Sequence, residues 1–425
     1  MKNKSAIILL FIANIISGFA QGISMLAIPW YFTDILNMDN IYVIGYGILT
    51  FISLFWSLYA GTLIDRYSRK KMFLYSNLCC AVIIGCISLF GFLNNGTPWI
   101  LALLAFGTTM FHYSIHYPNL YAFGQEISEK KNYGKLNSYI EIQGQATSVF
   151  AGAFAAILLS GTENKMINII GINIPILFNI EPWEVHEIFL MDAITYVLAF
   201  TIILFIKYQP VINNKIDKDK IFNRLKNGII YLKKNKLIFI FGLCSYFIFT
   251  FLIVELFVLL PSYVNNYLNQ GGNVFASSEV YYSIGALLSG MFINKVFIKS
   301  NAVLGVIIMM IATILGCIIL FFTKSVGVFY FITLTIGITN AGTRIMRITY
   351  IFQHVSNNII GRVGSVLSSI SILIRLLMVV IFSQFILVDG KNSEWGYLFG
   401  AIFLILGVIP LMLNYKKLVN MNTRT

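Results

Sequence analysis

The chain has 425 residues, of which 58% are hydrophobic and 11% charged, with a mean hydropathy of +0.80 and a formal net charge of +13. A soluble domain carries about 25% charged residues, so a water-soluble fold is excluded and lipid must be the solvent for most of the surface. The excess charge is not a nucleic-acid footprint, because its residues fall between apolar runs rather than on one basic face.

Lys2 and Lys4 followed by the apolar run Ala6–Ile16 imitate a signal peptide. The run continues to about Tyr31 with no small-x-small cleavage site, so a retained helix is expected. A span needs roughly 20 mostly apolar residues. On that rule spans are predicted at 5–33, 42–64, 72–93, 98–123, 137–161, 186–206, 237–264, 274–295, 301–322, 326–350, 363–388 and 394–414. The stretch 162–185 is apolar only over Met166–Ile180 and is broken by Asn168, Asn173, Pro175 and Asn179. It is expected to be an external loop that packs on the protein or the membrane interface, a short hairpin being one form open to it, since a span there would put nine positive residues on the outside. The longest polar stretch, 207–236, divides the chain into six-helix halves, 1–206 and 237–425. Within it Ile221, Leu225, Ile229, Ile230 and Leu232 recur near helical spacing between lysines, which predicts an amphipathic helix. Cys79, Cys80, Cys86, Cys244 and Cys317 all sit in apolar runs without metal or disulfide spacing, so they read as packing residues.

With the N-terminus inside, the inner segments hold 24 of the 30 basic residues and the outer loops hold three, Lys165, Lys324 and Lys391. The remaining three, Arg344, Arg347 and Arg375, fall within spans. That asymmetry predicts an even number of spans with both termini cytoplasmic.

After the second span comes Gly61-Thr62-Leu63-Ile64-Asp65-Arg66-Tyr67-Ser68-Arg69-Lys70-Lys71. Gly61 permits close helix approach, Asp65 places a charge at the helix end, and the basic run holds the loop inside. This stretch resembles the G-x-L-x-D-R-x-x-R-K signature of the major facilitator superfamily. A fainter copy, Gly290-Met291-Phe292-Ile293-Asn294-Lys295, follows 229 residues later with asparagine in place of the aspartate. Gly134-Lys135-Leu136-Asn137-Ser138 and Asn357–Ser365 are similar to the branch that contains macrolide efflux proteins and the enterobactin exporter. The resemblance implies an all-α membrane protein with twelve transmembrane helices in two six-helix halves. It also implies a gating latch of Gly61, Asp65, Arg66, Arg69 and Lys70. Two features depart from the drug/proton antiporters of the family: the fourth span has His112 and His116 in place of an arginine motif, and Ala151-Gly152-Ala153-Phe154 lacks the proline of the fifth.

Ionisable groups inside a span cost at least a few kcal/mol unless they face a cavity or a partner. Candidates for the substrate or proton pathway are therefore Glu141 with Gln143 in the fifth span, His112 and His116 in the fourth, Asp192 in the sixth, Glu255 in the seventh, Arg344 and Arg347 in the tenth and Arg375 in the eleventh. The arginines either attract an acidic or zwitterionic solute or pair with carboxylates such as Glu141 or Glu126. His112 and His116 have the i, i+4 spacing of metal ligands, but no third ligand accompanies them, so no metal site and no cofactor are expected.

No nucleotide-binding loop and no catalytic cluster is present in the sequence, so an enzyme is not expected. The expectation is a secondary active transporter of a bacterial-type cell membrane. It would export a small organic molecule (drug-like, macrolide-like or a siderophore) by alternating access, as a proton-coupled monomer. The alternatives are an importer of the same fold and a non-transporting receptor or assembly factor.

Overall fold

Residues 4–128, 133–162, 166–169, 171–175, 179–207, 221–296, 301–356, 359–383 and 392–421 are described by the structure, a computed structural model of the chain. In chain order the elements are α1 (Lys4–Trp30, continued by a π turn, Tyr31–Ile35), α2 (Asp39–Arg66), α3 (Arg69–Asn94), α4 (Trp99–Ile127), α5 (Tyr133–Ser160), β1 (Met166–Ile169), β2 (Ile172–Pro175), α6 (Val185–Leu204) and α7 (Ile221–Lys234). Then come α8 (Lys236–Ser245), α9 (Phe247–Val254), a π turn (Glu255–Leu259), α10 (Leu260–Ser262) and a second π turn (Tyr263–Tyr267), which together make one stretch of 32 residues. They are followed by α11 (Gly272–Val296), α12 (Ala302–Phe322), α13 (Val326–His354), α14 (Ile360–Ile381), α15 (Glu394–Leu413) and α16 (Tyr415–Val419).

Each of the twelve predicted spans is therefore a long helix. In lipid every backbone N–H and C=O must be satisfied within its own segment, which leaves the helix as the form such runs can take. Ten of these helices are long and apolar enough to cross a membrane, counted among the described residues. The other two, α4 and α11, have the length but carry polar residues such as His112, His116 and Asn119, or Ser277, Ser278 and Glu279. Large apolar side chains point outward along the helices, with Leu93 84% and Phe322 75% exposed, as a lipid-facing surface requires. The loop 162–185 contains such a hairpin: β1 and β2 pair antiparallel with Ile169 opposite Ile172, and Gly171 turns the chain at φ 78°.

The chain divides into two compact units, residues 1–38, 52–217 and 271–280 in one and residues 39–51, 218–270 and 281–425 in the other. In the first, α1 packs on α5 and α6, and α3 on α4 and α6. Its core includes Leu10, Phe73, Phe123, Leu136, Ile140 and Ile203. In the second, α12 lies against both α13 and α15, and α14 against α7 and α9. There α11 and α13 cross with almost no gap: a Cβ on Gly285 would fall 2.1 Å from the Leu334 carbonyl oxygen, and one on Gly337 2.0 Å from that of Tyr282. Only glycine permits that contact.

The two units share a local device at the C-terminal ends of α1 and of the 32-residue stretch 236–267. Pro29 and Pro261 lack the N–H of a helical residue. Two residues later each ladder widens, so that Leu36 N–H donates to the Tyr31 carbonyl and Leu268 N–H to that of Tyr263, both at 2.9 Å. Asn37 and Asn269, each at φ 53°, then close the helix in the left-handed conformation. The phenol of Tyr31 donates to the Thr97 carbonyl (2.7 Å) and that of Tyr263 to the Leu320 carbonyl (2.8 Å), tying each helix end to a neighbouring hairpin. The common pattern, Pro-x-Tyr-x-x-x-x-Leu-Asn, recurs with a shift of 232 residues.

Candidate functional site

In the first unit, α1 carries a stripe of buried polar residues, Asn14, Ser17, Gln21 and Ser24, spaced so that all lie on one face. Asn14 is the hub. Its amide donates to the Gln143 carbonyl oxygen on α5, and Gln143 in turn donates to Thr147 Oγ1 at 3.0 Å. Its own carbonyl oxygen meets His116 Nε2 on α4 at 2.5 Å, which makes that nitrogen the proton donor in this amide orientation. The His116 ring stands edge-on to Phe73 at 5.1 Å and lies 5.0 Å from the His112 ring, which abuts Tyr196 on α6 at 5.1 Å. Asp192, one turn before Tyr196 on the same helix, is completely buried. The Ser24 hydroxyl faces it, but neither group makes a well-formed hydrogen bond. A buried polar group without a partner is uncommon and costly. The hydrogen-bonded row runs from Thr147 through Gln143 and Asn14 to His116. Beyond it, among the described residues, both His112 nitrogens, the Tyr196 hydroxyl and the Asp192 carboxylate are buried without a hydrogen bond, and the rings meet only through packing.

The second unit has its own carboxylate. Glu255 opens the first π turn of the seventh span, where the widened ladder turns it inward. Its Oε1 accepts from the Tyr397 hydroxyl at 2.7 Å. Tyr397 is fully buried, and its ring stands edge-on to Tyr263 at 4.7 Å. Two glycines on α15 bracket Tyr397 and bring it close. A Cβ on Gly396 would meet Leu259 Cδ1 at 2.4 Å, and one on Gly400 would meet Phe251 Cζ at 2.2 Å.

Arg347 on α13 is buried. Its guanidinium lies 3.7 Å from the Tyr246 ring centroid, and Nη1 donates to the Ser245 carbonyl at 3.1 Å, where the helix breaks between α8 and α9. Within its own unit a π face and a backbone carbonyl hold this cation. Arg375 on α14 is half-buried beside the Tyr46 phenol, and Tyr46 lies against Phe257 with ring centroids 6.0 Å apart. Arg344 is half-buried on the same helix as Arg347.

Of the gating motif, the backbones of Gly61, Asp65 and Arg66 are helical, and their side chains lie outside the described residues, as does that of Glu141 on α5. Arg69 Nε is 3.3 Å from Glu126 Oε1, an ion pair between the motif and the end of α4. Lys70 Nζ donates to the carbonyls of Leu204 and Ile206 at 2.9 and 2.8 Å and thereby caps the end of α6. Ser68 caps the start of α3 by accepting from Lys71 N–H.

The sequence singles out His112, His116, Gln143, Asp192 and Glu255 as candidates, and the structure buries or half-buries each of them; their neighbours Asn14, Tyr196, Tyr246 and Tyr397 are not among the sequence's candidates. The polar stripe on α1 was a usable signal, because four polar residues at helical spacing in an apolar run must face a partner. The tyrosines gave none, since aromatic residues are spread over most of the spans.

A sequence model of the Major Facilitator Superfamily matches residues 10–383. Macrolide efflux protein A of Enterococcus faecalis is 21% identical over 239 residues, which is 55% of this chain and 66%, just under two thirds, of that protein. Among solved structures, a variant of the nucleoside transporter NupG superposes with a TM-score of 0.73 at 14% identity, over 96% of this chain and 99% of that one. A bacterial homologue of the iron transporter ferroportin in the inward-facing state gives 0.71 at 13% identity over 98% and 99% of the two chains. A D-xylose-proton symporter gives 0.67 at 12% identity over 96% and 97%.

Proposed function

The chain belongs to the major facilitator superfamily and is a multi-pass membrane transporter rather than an enzyme, and from that premise we propose that it exports a small organic molecule in exchange for protons. The observation that carries this reading is the pair of buried carboxylates, one in each unit: Asp192 beside Tyr196 and Glu255 bonded to Tyr397. A carboxyl group held in an apolar span earns its place by taking up and releasing a proton. Phenol and imidazole neighbours provide the hydrogen-bonding groups along which a proton can pass.

Export is favoured by the likeness to macrolide efflux protein A and by the efflux-branch resemblance of Gly134–Ser138 and Asn357–Ser365. The solute class is amphipathic and drug-like, macrolide-like or siderophore-like, and Arg344, Arg347 and Arg375 favour one with acidic character. The two halves, 1–206 and 237–425, alternate access, with Gly61, Asp65, Arg66, Arg69 and Lys70 as the gate. The lysine and arginine asymmetry favours both termini and the linker 207–236 on the cytoplasmic side, in a bacterial-type cell membrane. The working unit is a monomer.

The test is accumulation of labelled macrolides, other amphiphilic drugs and siderophores in energised cells with and without the protein. Lower accumulation that an uncoupler restores is expected. Asp192→Asn or Glu255→Gln should abolish gradient-driven movement while solute exchange persists. Inward accumulation would overturn export. Movement indifferent to the uncoupler and to both substitutions would overturn proton coupling.

A further inference from the structure

A groove of about 500 Å³ opens between α7, α8 and α14 in the second unit. That size is in the range of small-ligand sites. Its walls are apolar, formed by Leu232, Phe239, Ile240, Val366 and Ile370 with Ile229 at one edge, and the remaining residues that line it are Lys233 and Lys236. The helix α7 is fixed in place along one side. Leu232 is buried in a cluster with Val363 and Leu367, and a Cβ on Gly228 would fall 2.6 Å from the Arg362 carbonyl oxygen. The other side stays open, with Ile229 and Ile230 each 42% exposed and Lys226, Lys233 and Lys234 exposed beside them.

Charge decides what fits. No acidic residue occurs in 221–254 or in 359–381, so neither α7, the start of the seventh span nor α14 offers a carboxylate to the two lysines. Among the described residues neither Lys233 nor Lys236 has a carboxylate partner, and an apolar slot with two such cations at its mouth suits an anionic amphiphile. The slot sits where α8 and α14 end as spans and an amphipathic helix begins, which is the level of a lipid headgroup. We propose that this groove binds one anionic phospholipid, with its phosphate between Lys233 and Lys236 and an acyl chain along Phe239, Ile240, Val366 and Ile370. Juxtamembrane lysines attract such headgroups, and because an acyl chain leaves hydrocarbon for an apolar slot, the slot contributes shape and the lysines the preference. The bound lipid fastens the linker helix to α14.

Native mass spectrometry of the full chain, titrated with phosphatidylglycerol or with phosphatidylcholine of the same acyl chains, tests this without reference to transport. One tightly held phosphatidylglycerol is expected. Its preference over phosphatidylcholine should be roughly 30-fold, at about fivefold for each lysine. The doubly substituted Lys233→Gln/Lys236→Gln protein should bind the two lipids within about twofold of each other. Ile370→Trp, which fills the slot, should lose both lipids while the lysines remain. Equal binding of the two lipids by the native protein, or unchanged phosphatidylglycerol binding in both variants, overturns the proposal. So does a native dimer that Ile370→Trp converts to monomer, because a second copy would then be the occupant.

Discussion

Tyr397→Phe removes one oxygen and nothing else from the second unit. The ring remains edge-on to Tyr263 at 4.7 Å, so no cavity opens. What disappears is the 2.7 Å hydrogen bond to Glu255 Oε1. Leaving a buried acceptor without its donor costs about 1–3 kcal/mol, and about 1.4 kcal/mol is a factor of ten in an equilibrium or a rate. The variant should therefore lose about 1–3 kcal/mol of unfolding free energy in mixed micelles and roughly tenfold in the initial rate of pH-gradient-driven transport. The decisive comparison is the same substitution in a Glu255→Leu background. There the acceptor is already gone, and Tyr397→Phe should cost nothing or even stabilise, since it removes an orphaned hydroxyl. A cost that is the same in both backgrounds to within about 0.5 kcal/mol would mean the two groups are not coupled, and the assignment of Tyr397 as the residue that positions Glu255 would fail.

Two further outcomes follow from the packing. Asn14→Leu strands both His116 Nε2 and the Gln143 carbonyl oxygen, so thermal unfolding in detergent should report a loss of about 2 kcal/mol or more; an unchanged midpoint would deny Asn14 its place as hub. Gly400→Ala drives a methyl group into Phe251 Cζ at 2.2 Å, which should cost about 1–3 kcal/mol. Adding Phe251→Leu should recover part of that loss, and a loss that Phe251→Leu does not relieve would locate the clash elsewhere.

The positions of the long helices were legible in the sequence because a lipid solvent leaves so few options. An apolar run of span length must be helical to satisfy its own backbone, so composition alone located α1 through α6 and α11 through α15 to within a few residues. The asparagines and proline of 162–185 likewise marked a loop rather than a span, whose hairpin pairing the structure supplies, and the lysine-punctuated pattern of 221–234 marked α7. The burial cost of a lone ionisable group picked out Asp192, Glu255 and the paired histidines for the same reason, since such a residue is conspicuous against an apolar background. What each polar group touches was decided only by the tertiary structure. Partners come from helices far apart in sequence: Asn14 meets His116 across 102 residues, and Glu255 meets Tyr397 across 142. No local pattern encodes such meetings, because they depend on how closely helices approach, and glycines such as Gly396 and Gly400 set that distance. Arg347 illustrates the difference. The sequence marked it as a cation that attracts an acidic solute or pairs with a carboxylate, and packing set it against the Tyr246 ring and the Ser245 carbonyl.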